Sequence, residues 1–572
     1  MLRELRLSLR QADRTAFVIF IALMGFFAVF LFIPILYIFI GAFFVEGSFT
    51  TYYFTLMFTD PVLFESLRNS LMIGVYSTIL TSAIAVPLAF LMVRFEFPGK
   101  RFFQGFLLIP LVMPPFVGAI GMKQLFARYG SINLFLMKVG LMNEPFDWLG
   151  QGIPAIVILE ALHLYPYLYL NIAAALANID PTLEEQAQSM GATGFRLFRT
   201  VTFPLMLPGF LAGSIVTFVW AFTDLGTPLI FDYLPVLSRR IFSNVNNINI
   251  NPIGYAMTVL SLIVVVVAVT VARRYGSMRS YEMLGRGHIT PRIRRIEKSD
   301  GGRSWWVVPV YVGLLLVVFL ALVPQISVII TSVAKTWFFS ILPQEYTLNY
   351  YYQAVTHPLT VSSVANSFIY SIGSTAFDLA LGIVIAWLLA RKTFPGKDIL
   401  DSTVMLPLAL PGIIIAFGYI SVFSGTILNP LNNPIPLLIL SYAVRRLPYT
   451  VRAAYAGFQQ TSASLEEASQ SVGASAFQTM IYITAPLIMA NVLAGGIISF
   501  SSNMMEVSDS MVLAMTQPYY PITKAIYNLD LRLGDGPFIA SALGILAMIL
   551  TASCLLLANK LLGRSMGELF RA

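Results

Sequence analysis

Long apolar runs recur from one end of this chain to the other, and they decide what it can fold into. A run of about eighteen or more apolar residues is long enough to cross a bilayer as a helix. Hydrocarbon offers no partner for backbone N–H and C=O groups, so only helices and closed barrels span it. A barrel strand would alternate apolar and polar residues over about ten positions. These runs do not alternate. The 572 residues could otherwise suggest three or four soluble domains, but 57% are apolar, 11% are charged and mean hydropathy is +0.77. An all-α, polytopic membrane protein is expected.

Twelve spans are predicted. The first six lie near 15–44, 69–94, 102–125, 154–178, 204–226 and 252–272. The other six lie near 305–334, 366–390, 400–424, 435–459, 486–508 and 536–560. The first run, about Phe17 to Phe44, exceeds the 7–15 residues of a signal-peptide core. No A-x-A-like cleavage site follows it, so it is read as a retained span. The net charge of +8 matters through its distribution, since cytoplasmic loops collect Lys and Arg. With the N-terminus inside, the inside segments are 1–14, 95–101, 179–203, 273–304, 391–399, 460–485 and 561–572. They hold most of the 36 basic residues, nine of them in 273–304. Both termini are expected in the cytoplasm, and the basic charge is a positive-inside signature that calls for no nucleic-acid partner.

The chain also repeats itself. Asn69–Pro115 aligns without gaps on Asn366–Gly412 at an offset of 297, with 15 identities in 47 positions. The identities include Arg94/Arg391, the loop FPGK at 97–100 and 394–397, and the prolines Pro110/Pro407 and Pro114/Pro411. From Leu183 to Phe218 the offset is 282, with 16 identities in 36. The first half therefore carries about fifteen extra residues, placed in the outside loop around 126–153. Two homologous six-span halves, 1–272 and 305–572, are joined by a basic cytoplasmic linker, 273–304. Each half has an even number of spans, so both point the same way, and a pseudo-two-fold axis along the membrane normal is expected.

Two charged stretches interrupt the apolar pattern at matching places: EEQAQSMGATGFRLFRTVTFP (184–204) and EEASQSVGASAFQTMIYITAP (466–486). Thr182 and Ser464 each stand three residues before a glutamate, Glu185 and Glu467, in the spacing of a capping box. Acids suit a helix N-terminus. Short helices are expected to start near Leu183 and Leu465 and to stop at Gly191 and Gly473 in the left-handed conformation. A second short helix would then enter the membrane near Pro204 and Pro486.

These stretches resemble the EAA loop of ABC-transporter permeases that work with a substrate-binding protein. Glu185, Ala187, Gly191 and Pro204 match its spacing, as do Glu467, Ala468, Gly473, Ile483 and Pro486. Gln186, Val201 and Phe203 depart from it in the first copy, Ser469 and Ala485 in the second. The resemblance implies a type I importer permease with two tandem six-helix repeats. It implies two copies of a cytoplasmic ATPase docked on loops 179–203 and 460–485. Glu184, Glu185, Ala187, Gly191, Ala192 and Glu466, Glu467, Ala468, Gly473, Ala474 would form those docks. It also implies an extracytoplasmic solute-binding protein and a bacterial inner membrane. ATP and magnesium would be used by the partner. This chain has no G-x-x-x-x-G-K-[ST] to cradle phosphates, so no bound cofactor and no enzymatic activity are expected of it.

No constellation of catalytic or metal-binding residues stands out: His163, His288 and His357 are scattered, and Cys554 is the sole cysteine. Ionisable groups within spans are costly and mark pathways or helix–helix pairing. Candidates are Glu160 and His163; Arg445 and Arg446, with Arg452 nearby; and Asp224 and Glu506, which align at offset 282. They either face a solute pathway or pair between packed helices. A fused permease of this size most resembles the ferric-iron group. Phosphonate, sugar phosphate, thiamine, polyamine or sulfate-like cargoes are the alternatives. An ion-coupled secondary carrier would show a G-x-x-x-D-R-x-G-R-R-like loop after its second span, where this chain has RFEFPGKR and RKTFPGKD. A passive channel would need no ATPase docks.

Overall fold

The computed structural model describes residues 14–148, 152–245, 251–277, 294–295 and 307–562. Most of the expected linker and both terminal segments lie outside the described residues. The spans of the first half are α1 (Arg14–Phe43), α2 (Pro61–Arg94), the bent pair α3 (Lys100–Leu111 and Pro115–Lys138), α4 (Ile153–Ala177), α5 (Gly194–Ile230) and α6 (Ile253–Tyr275). The second half has α7 (Val308–Val333), α8 (Pro358–Arg391), the bent pair α9 (Lys397–Ala409 and Gly412–Phe423), α10 (Ile435–Gln460), α11 (Phe477–Met504) and α12 (Gly536–Ala558).

Among the described residues, nine of these helices are long and apolar enough to cross a membrane by themselves; α3 and α9 reach that length only with both limbs taken together, and α10 falls short. The 26-residue α10 carries Arg445, Arg446 and Arg452. It occupies in the second half the place that α4 has in the first. α4 packs on α2 and α5, and α10 packs on α8 and α11. The repeat is visible in lengths too: α2 and α8 each run 34 residues at an offset of 297.

Spans three and nine are broken, not straight as the apolar pattern alone suggests. α3 bends by 94° and α9 by 103°. Proline causes the break, because Pro114 and Pro411 hold an extended backbone (ψ 141° and 137°) and donate no N–H. The extra residues of the first half build a short helix, Ser131–Lys138, in the expected loop. Asn133 pins it, with Nδ2 donating to Phe146 O at 2.6 Å and Oδ1 accepting from Trp148 Nε1 at 2.6 Å.

The halves are interlocked. α1 packs on the second limb of α9, where Tyr419 Oη donates to Phe30 O at 2.8 Å. α7 packs on the second limb of α3 and on α12. Each half thus lends its first span to the other. Small residues permit the close approach, as is usual between helices in lipid. A Cβ on Gly121 would lie 2.0 Å from Ser327 Oγ, and one on Gly418 would lie 3.0 Å from Pro34 Cβ.

This packing makes a testable contrast. Gly121→Ala should destabilise the purified protein in nanodiscs by about 1–3 kcal/mol through overpacking. Gly25→Ala, with nothing within 4 Å of the new Cβ, should be neutral or stabilising, since Ala is the better helix former. Thermal unfolding of both variants checks this; equal melting temperatures would contradict the interlock.

Candidate functional site

Two sites emerge: a cavity between the halves and a pair of loops on the cytoplasmic ends. The cavity, of about 270 Å³, lies where both helix breaks meet. Equivalent residues of the two halves line it: Pro114 and Pro411, His163 and Arg445, Leu164 and Arg446, Tyr167 and Tyr449. It therefore straddles the relation between the repeats. Glu160 and Asp224 line it from the first half. Five of the six candidate pathway residues meet here.

Glu506 is the exception. It does not line the cavity but sits behind the arginines. Glu506 Oε1 lies 2.5 Å from Arg445 Nη1, and its other oxygen bonds Arg446 Nη2. Arg445 also reaches Asp509 at 3.3 Å, which in turn accepts from Ser441 Oγ at 2.9 Å. The arginines of α10 therefore fit both readings raised by the sequence, since they are paired within the protein and still face the cavity. Asp509 was not singled out by sequence reasoning. Its one signal was its place three residues after Glu506. Arg452 lies elsewhere, paired with Asp401 at 3.1 Å on a half-exposed surface.

The first half solves the same position differently. Asp224 ends the long helix and caps the next turn, accepting from Gly226 N at 3.2 Å and Thr227 N at 2.8 Å. Glu160 accepts from Thr227 Oγ1 at 2.9 Å and is 1% exposed. So the cavity has a carboxylate-bearing wall from the first half and a guanidinium-bearing wall from the second.

The loops carry the docking candidates. Helices Pro181–Ser189 and Ala463–Ser471 form as expected, but each begins two residues early. Thr182 and Ser464 are not the caps. Asp180 accepts from Thr182 N, and Ser462 accepts from Ser464 N. The reason is local: Pro181 is favoured at the first helical position, which makes Asp180 the cap. The stops agree with expectation. Gly191 and Gly473 adopt φ +85° and +93°. Ala192 N bonds Ala187 O, and Ala474 N bonds Ser469 O, closing a Schellman turn in each copy. The expected second short helix is instead the first turns of α5 and α11, each passing through one π-helical turn into the membrane.

Adjacent glutamates part company. Glu185 and Glu467 are exposed, whereas Glu184 and Glu466 turn inward. Glu184 accepts from Arg94 Nη2 at 2.8 Å and from Thr202 Oγ1 at 2.8 Å. Glu466 lies 3.0 Å from Arg391 Nε, and Arg391 Nη2 donates to Thr461 O at 2.8 Å. These two acids therefore do not belong to the exposed docking face. They tie each loop to the end of α2 or α8. The sequence signal was present in the repeat identity Arg94/Arg391.

The family sequence pattern described as "binding-protein-dependent transport system inner membrane component" matches residues 83–277 and 379–567. The chain belongs to this family. It is an ABC importer permease with two repeats in one chain. Among relatives, the ferric transport system permease protein FbpB of Actinobacillus pleuropneumoniae is 26% identical over 98% of this chain and 80% of its own length. A putative ferric transport system permease protein FbpB 1 of Haemophilus influenzae is 26% identical over 88% of this chain and 78% of its own. The molybdenum transport system permease protein ModB of the same species is 33% identical over 29% of this chain and 71% of its own.

The arginine cluster supplies a prediction. Glu506→Gln strips the shared acid from two mostly buried guanidiniums, which should cost about 3–5 kcal/mol. Asp401→Asn breaks only the half-exposed Arg452 pair and should cost under about 1 kcal/mol. Denaturation of both variants in nanodiscs checks this ranking, and equal losses would contradict it.

Proposed function

We propose that this permease imports ferric iron, delivered by an extracytoplasmic binding protein and driven by two copies of a cytoplasmic ATPase. The observation that carries the energy source is the pair of exposed loops, each tied through an ion pair to a span. α2 and α8 in turn pack on α4 and α10, the helices whose side chains line the cavity.

The chain supplies the following steps. Each ATPase holds one loop, with Glu185 and Glu467 against basic groups. ATP-driven closure of the ATPase pair draws the loops together. Arg94–Glu184 and Arg391–Glu466 pass that displacement to α2 and α8. The halves then rock, and the cavity changes the side to which it opens. A ligand distinguishes two such states only through unequal contacts in them. Glu160 and Asp224 offer hard carboxylate oxygens of the kind that bind hard cations. ATP and magnesium stay with the partner, the chain holds no cofactor and catalyses no reaction itself. It sits in the bacterial inner membrane with both termini in the cytoplasm.

The ferric reading rests on the two relatives matched over most of the chain. Two experiments test the parts separately. Glu185→Lys with Glu467→Lys should release the ATPases in pull-downs while the permease still inserts; unchanged co-purification and transport would refute the docks. Proteoliposomes holding permease, ATPase and binding protein should take up ferric iron only with ATP. Uptake of molybdate, phosphonate, sugar phosphate or thiamine in place of iron would refute the cargo.

A further inference from the structure

The two docking loops present a shared apolar core. At offset 282, Met190 matches Val472 and Phe195 matches Phe477. All four stand out from the chain, at 88%, 86%, 77% and 73% exposure. Exposed aromatic and Met side chains of this kind make interface anchors. Just beyond this core the loops diverge. The first carries Arg196 and Arg199, three residues apart and so on one helical face. The second carries Gln478 and Ile481 in their places, followed by Tyr482 where the first has Thr200. All six side chains are exposed. Among the described residues, neither Arg196 nor Arg199 enters an ion pair.

The backing differs as well. Behind the first loop is a space of about 670 Å³ reaching Phe90, Phe95 and Glu184. Behind the second it is about 240 Å³. Trp387 and Lys392 stand there in place of Phe90 and Phe95, with Lys392 Nζ 5.0 Å from the Trp387 ring centroid.

Resting on the ATPase-docking reading above, we propose that the two docks are held by different forces. The first adds charge to the apolar core and fits an acidic rim on the ATPase groove. The second shares the glutamate contact but adds apolar burial where the first adds cations, with Ile481 and Tyr482 in the places of cation and hydroxyl, so less of its hold is electrostatic. Identical ATPase subunits would then be gripped unequally. Exposed charge pairs weaken with salt as the screening length shrinks from about 10 Å at 0.1 M to about 3 Å at 1 M. Apolar contacts do not weaken in this way. The first ATPase is therefore the one released first as salt rises.

The test uses the whole permease–ATPase complex in lipid nanodiscs, without ATP, across a NaCl series between those limits. Mass photometry counts the ATPases retained. The wild type should pass through a state with one ATPase per permease. R196Q with R199I, which installs the second loop's residues, should abolish that salt-dependent intermediate. Q478R with I481R should make both docks salt-labile, so that both ATPases leave together. Monodisperse elution of each permease variant confirms that it is folded. Loss of both ATPases in one step from the wild type, with both exchanges silent, overturns the inequivalence. That failure is distinct from failure of the docks themselves: if Glu185→Lys with Glu467→Lys also retains both ATPases, the docking reading falls and this inference with it.

Discussion

Every backbone N–H and C=O in hydrocarbon needs a partner within the protein, and the rest of this structure follows from where the chain breaks that rule. It breaks its helices in mid-span at Pro114 and Pro411, and in each place the freed backbone faces the cavity between the halves. Irregular backbone at membrane depth is tolerated where it lines such a space. The same two prolines thus stop a helix, turn it through about a right angle and line the cavity between the halves. Asp224 repeats the device within α5, just after the long helix ends at Thr223, where its carboxylate caps the turn that follows.

Interlocking makes the two halves one machine. Because α1 leans on α9 and α7 on α3, neither half buries its own small-residue faces without the other. The connections between the proposed docking loops and the spans are few by comparison. Each proposed docking loop is tied to its half by an ion pair between one partly buried acid and one arginine, at equivalent positions in both repeats. Leaving either partner alone in that half-buried setting would be costly, so a displacement of the loop is expected to carry the span with it. Charge is used differently in the cavity. The second half neutralises its arginines with Glu506 and Asp509, while the first offers carboxylates held by a backbone turn and a threonine. Homologous scaffolds therefore present opposite chemistry to one space.

Much of this was legible in the sequence. The spans were, because burial in lipid demands runs that soluble proteins lack. α10 was read as a span at 435–459, although three arginines lower its own hydropathy below that of the other spans. The glycine stops at Gly191 and Gly473 were legible, because a Schellman turn needs a left-handed residue. Other features were hidden for physical reasons. Which of two adjacent glutamates turns inward depends on helix phase and on Arg94, ninety residues away. The cap at Asp180 was masked by a nearby Thr182 that satisfies a known pattern equally well. Glu506 looked like a pathway group because its partners are sixty residues distant. The breaks in α3 and α9 were not read from the sequence, although Pro114 and Pro411 recur as repeat identities and donate no backbone N–H.

The central claim is that displacement of the docking loops opens and closes the cavity by rocking the two halves as units. The most direct measurement is the distance between spin labels at Arg101→Cys and Asp398→Cys, equivalent exposed positions in the two FPGK-flanking turns, in a Cys554→Ala background. With ATPases docked in proteoliposomes, ATP binding should shorten that distance, and Arg94→Ala with Arg391→Ala should abolish the change while the ATPases remain bound. A distance that stays constant through ATP binding, in vesicles that still transport, would contradict the account.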